Sequence, residues 1–112
     1  MSKFFQSELV RGDIQEMAVL QEFCFRSVTN LALLNKEKKK EYFEAMRKLL
    51  EKQKVFHARL SLSDDPEAKQ VAENMKQAVI MLGGNANLNI MDMFDDLLKK
   101  IDAFESHVEK QQ

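Results

Sequence analysis

Four residues of this 112-residue chain can interrupt a helix unaided: Gly12, Pro66, Gly83 and Gly84. A β-sandwich or barrel needs a tight turn roughly every 8 to 12 residues, drawn largely from Gly and Pro. So few breakers cannot build one. The apolar residues recur at spacings of three, four and seven almost throughout, which is the mark of helices with one buried face. The expectation is an all-α fold with no sheet: a four-helix arrangement of two long antiparallel helices and two shorter ones, in a single domain over residues 1–112.

The first helix is expected over residues 7–34, capped by Ser7, after a lead that reads as exposed. Val10, Ile14, Met17, Cys24, Val28 and Leu31 form its stripe, and Leu20, Phe23 and Phe25 widen it. Gly12 inside this helix costs about 1 kcal/mol relative to Ala. The second helix is expected over 36–62, with Asn35 as cap and apolar positions at 42, 46, 49, 56 and 60 that only Gln53 interrupts. Asp65 as cap and Pro66 in the first turn open a third helix over 66–82, because the missing proline N–H would have no helical partner there anyway. Its stripe runs from Ala68 to Leu82, and Gly83-Gly84 closes it. Asn89, with Asp92 three residues on, caps a fourth helix over 90–109 in which Ile90, Phe94, Leu97, Ile101, Phe104 and Val108 keep a strict heptad.

The start of the chain, with Lys3 and Glu8 around Phe4-Phe5, lacks the apolar run of a signal peptide. Apolar stretches reach only five residues, at Ala78 to Leu82, where a membrane span needs about 20. A cytoplasmic protein without a membrane partner is expected. One cysteine excludes an internal disulfide framework.

Chemistry-bearing patterns are absent. There is no phosphate-cradling glycine loop, no His-Glu-x-x-His and no Glu-x-x-His pair. No catalytic residue, metal or cofactor is assigned, and neither an enzyme nor a small-molecule substrate is expected. Asp92, Asp95 and Asp96, with Asp102 beyond them, read as acids favoured near a positive helix end. Cys24 reads as a small buried hydrophobe, and His57 and His107 as residues at the edge of the core. Met17, Met46 and Met75 fall on apolar stripes, whereas Met91 and Met93 straddle one and are candidates for exposed contact.

Charge is the feature above background. The chain sums to −1, yet residues 36–60 carry nine Lys or Arg against four Glu, a net of +5, and residues 83–112 carry −3. Lys36, Lys38, Lys39, Lys40, Arg47, Lys48 and Arg59 are the candidate contact residues, with Lys52 and Lys54 on the same helix. They read either as a solvated face with local partners such as Glu44 for Lys48, or as donors to nucleic-acid phosphates or an acidic protein surface.

The run from Phe4-Phe5, Ser7-Glu8 and Val10, through Lys38-Lys39, Phe43-Glu44, Met46, Leu49-Leu50, Lys54, Phe56 and Arg59, to Leu62-Ser63-Asp64-Asp65 and Met93-Phe94-Asp95 resembles a known family. It is the small all-helical domain of unknown function found mainly in cyanobacteria and in the phages that infect them. The resemblance implies a compact helical fold, a cytoplasmic site and a phage connection. That family has no established activity to carry over. The expected function is therefore a non-enzymatic helical interaction module that binds a protein or a second copy of itself. The alternative is a nucleic-acid accessory protein using the basic second helix.

Overall fold

A computed structural model of the chain describes residues 3–81 and 83–110, so Leu82, expected to end the third helix, lies outside the described residues. Among these, every regular element is helical: α1 (Lys3–Gln6), α2 (Glu8–Val28), α3 (Lys36–Leu62), α4 (Pro66–Met81) and α5 (Ile90–Lys110), with a 3-10 turn at Leu31–Leu33 between α2 and α3. The fold is all-α, and among the described residues no helix is long and apolar enough to cross a membrane.

Capping chemistry sets most boundaries. Asn35 Oδ1 accepts from the Lys38 N–H at 2.9 Å, and Asp65 Oδ1 accepts from the Glu67 N–H at 3.0 Å. Asn89 and Asp92 bond in both directions, each contact at 2.9 Å. These side chains satisfy helix-start donors that have no partner inside the helix. Past α4, Gly83 adopts φ +106°, open to glycine at little cost. The Gly84 N–H then bonds the Val79 carbonyl at 2.9 Å, and a Cβ on Gly84 would stand 2.8 Å from that same oxygen.

One helix end differs from the sequence expectation by several residues. The first helix stops at Val28 rather than 34, because Thr29 Oγ1 donates to the Arg26 carbonyl at 2.8 Å and the Asn30 N–H turns to Ser27 instead. A hydroxyl that takes a helical carbonyl competes with the backbone ladder and ends it. Of the two expected long arms only α3, at 27 residues, keeps its length; α2 and α5 are both 21 residues. The lead is not exposed either. Phe4 and Phe5 are half-buried against the core, with the Phe4 ring edge-on to Phe56 at 6.0 Å.

α3 is the hub. It packs most extensively against α2 and α5 and also against α4. Three apolar clusters line it. Phe56 and Leu60 meet Val10, Ala68 and Ala72; Tyr42, Phe43 and Leu49 meet Cys24 and Val108; Leu50 meets Val79, Met93 and Phe94. Met93 is fully buried, contrary to its expected exposure, because the end of α4 and the Gly84 turn cover that flank of α5. Leu60 is also fully buried. Leu60→Ala should lower the unfolding free energy by about 2–5 kcal/mol, measured as an earlier urea midpoint at unchanged slope.

Candidate interaction surface

Most of the basic residues on α3 point at carboxylates on neighbouring helices. On one side, Lys40, Arg47 and Lys54 recur at seven residues, two turns of helix, and so share a face. Their partners on α5 recur at seven in the opposite sense: Lys40 with Glu109 at 3.4 Å, Arg47 with Asp102 at 2.8 Å, and Lys54 with Asp95 at 2.5 Å. Each step of seven up α3 is matched by seven down α5, the register of an antiparallel pair. Arg47 is the best held, since its guanidinium also reaches Glu105 at 2.9 Å and its side chain is only 28% exposed. Burial opposes its charge, but the hydrogen bonds it donates to Glu105 and Asp102 outweigh that and hold it more firmly protonated than usual.

A second face of α3 serves α2. Lys52 pairs with Glu16 and Arg59 with Asp13. The hydrogen bond from Lys52 holds the Glu16 carboxyl below the usual carboxylate range, and the same bond raises Lys52. At the end of the bundle, Lys36 Nζ donates to the Glu109 backbone carbonyl at 2.9 Å, placing a cation at the negative end of α5. Lys38 pairs locally with Glu41 at 3.5 Å. Lys39 and Lys48 form no ion pair among the described residues; Lys48 borders the groove described below. The cations of α3 thus find carboxylates mainly across helices. The Glu44–Lys48 pair is not formed among the described residues.

The other candidates fall into structural places. Asp92 caps α5, Asp95 and Asp102 belong to the ladder, and Asp96 pairs with Lys100 at 3.2 Å. Among the described residues, no group of three or more His, Cys, Asp or Glu could hold a metal ion. Cys24 is buried, which pushes its thiol pKa up and away from nucleophilic use. His57 is buried rather than at the edge of the core, with Ser61 Oγ 3.4 Å from Nδ1 and the Phe94 ring at 6.5 Å; His107 is exposed.

The open surface lies on α2. Val19, Leu20 and Phe23, with Ala45 of α3, floor a groove of about 630 Å³ whose rim is Glu41, Glu44, Arg47, Lys48 and Glu51. It continues toward the start of α2 past Gly12, Gln15, Glu16 and Lys52. Of the candidate contact residues, Arg47 and Lys48 reach its rim, but its apolar floor has no counterpart in the sequence expectations; its sequence signal is Phe23, which widens the stripe of α2.

The family model described as a domain of unknown function (DUF1825) matches residues 2–108. The chain belongs to this family. No curated protein and no solved structure matches it. As a DUF1825 chain it inherits no catalytic or binding assignment, so the geometry must carry the reading.

Two measurements test the electrostatics. Arg47→Glu should destabilise the DUF1825 fold by about 1–2 kcal/mol in urea denaturation, and adding Asp102→Arg should recover much of the loss. His57 is held neutral by burial, partly offset by a hydrogen bond to the Ala72 backbone, so its folded pKa is lowered. The unfolded chain then binds a proton that the folded chain refuses. Stability from this residue is complete above about pH 6.5 and declines as pH falls below it. His57→Gln should flatten that decline in a stability–pH profile, while Glu16, depressed by Lys52, acts only in stronger acid.

Proposed function

We propose that the protein is a non-enzymatic helical interaction module that self-associates through the uncovered side of α2. The observation that carries this is the distribution of exposed apolar side chains. Among the described residues eleven large hydrophobics are left exposed, and six of them lie on α2: Leu9, Val19 and Phe23 on one flank of its buried stripe, Ile14, Phe25 and Val28 on the other. Of its 21 residues only Val10 and Cys24 are buried. A helix that is apolar on several sides normally sits inside a larger assembly.

Shape and area support the same reading. The radius of gyration is 15.4 Å and the molecule measures 51 × 31 × 18 Å, whereas a compact chain of this length has a radius of gyration of about 13 Å. The accessible surface is 7664 Å², against about 6,300 Å² for a folded monomer of this size. The excess exceeds the roughly 800 Å² that each partner contributes to a standard interface. A cytoplasmic location and the cyanobacterial or phage source implied by the resemblance are part of this proposal.

The nucleic-acid reading draws less support. Lys36, Lys40, Arg47, Lys52, Lys54 and Arg59 already hold a carboxylate or carbonyl within the chain, which leaves little unpaired positive charge for phosphates. Sedimentation equilibrium should give a dimer for the unaltered chain. Val19→Asp combined with Phe23→Asp should give a folded monomer, since Val19 is 65% and Phe23 38% exposed and neither anchors the core. A chain that stays monomeric at the highest accessible concentration would sink the proposal.

A further inference from the structure

Resting on that reading, we infer that two copies pair antiparallel along α2, with Val19 of each packed on Phe23 of the other and Glu16 of each facing Arg26 of the other. Beside its buried stripe, α2 carries a second one: Leu9, Gly12, Glu16, Val19, Phe23 and Arg26, at alternating steps of three and four. The spacing is that of a coiled-coil seam, with Leu9, Val19 and Phe23 as its apolar positions and Glu16 and Arg26 as its charged ones. Its middle part, from Gly12 to Phe23, lines the groove beside α3.

The seam is complementary to itself in one direction only. A parallel pairing sets Glu16 against Glu16 and Arg26 against Arg26, each a like-charge contact. An antiparallel pairing about a two-fold axis midway between Val19 and Phe23 sets acid against base at both ends and apolar against apolar in the middle. Such an interface uses the same patch on both copies and closes as a dimer. The charges are available for it. Lys52 donates to Oε2 of Glu16, so Oε1 can serve the second copy. Arg26 has only a 3.6 Å contact with Glu22, and both side chains are largely exposed.

Gly12 supplies a separate observation. It lies in the first turns of α2, where glycine is a poor helix former, and a Cβ there would meet nothing within 4 Å. Nothing within one copy requires it. In the antiparallel pair Gly12 lies opposite the point where the second copy leaves α2, at Thr29 and Asn30. The absent side chain leaves room for that turning backbone.

The test is disulfide trapping between Glu16→Cys and Arg26→Cys proteins, each alone and mixed, under mild oxidation at concentrations where both sediment as dimers. In the antiparallel pair, positions 16 and 26 of different copies adjoin, while identical positions lie about 15 Å apart along the axis. The mixture should give at least tenfold more covalent dimer than either variant alone, and the unaltered chain, whose Cys24 is buried, should give none. Loss of the dimer in Arg26→Cys alone would also support the seam, because Arg26 holds no core contact. Equal trapping by either variant alone would overturn the antiparallel register. Sedimenting dimers with no trapping in the mixture would overturn the seam and leave self-association standing. A monomeric unaltered chain would remove the underlying reading as well.

Discussion

Burial around α3 is the constraint from which the rest of the fold follows. Each of the three apolar clusters contains side chains of this helix: Phe56 and Leu60 in one, Tyr42, Phe43 and Leu49 in another, Leu50 in the third. The apolar surface of α3 therefore spreads well beyond one stripe, and α2, α4 and α5 each cover part of it. Hydrophobic burial has no direction of its own, so it leaves open how far a helix slides along its neighbour. The ion-pair ladder fills that gap. Exposed pairs contribute little individually, but three of them seven residues apart, matched in antiparallel sense, favour one register of α5 on α3 over its neighbours.

Helix existence was legible in the residues for plain reasons. Asn35, Asp65-Pro66, Gly83-Gly84 and Asn89 act locally, and local chemistry can be read from local sequence. The 36–62 boundaries match because a side-chain cap opens that helix and Ser63 with Asp65-Pro66 closes it. The end of α2 was less legible, since the Thr29 hydroxyl had to be weighed against an apolar period that continues to Leu34. The burial of Met93 depends on a turn brought back from α4, and the docking of Phe4 and Phe5 on a cluster formed by α3 and α4. Both are tertiary facts with no local signature.

The basic run shows the same limit in another form. Its +5 balance is plain in composition, but its partners lie tens of residues away on α2 and α5. In the folded chain the charge is mostly shared between helices, and the acidic C-terminal part is its complement. The surface left unmatched is apolar, and it belongs to the helix with the fewest buried residues.

That uneven burial has a kinetic side. α3 buries seven residues and α2 only two, so less buried surface holds α2 closed than holds α3. Proteins open in cooperative units, and the unit with least buried contact opens first. The amide protons of α2 should accordingly exchange with solvent ahead of those of α3 in an isolated chain. Any partner that covers α2 registers first as slowed exchange in that helix, with no displacement of the rest.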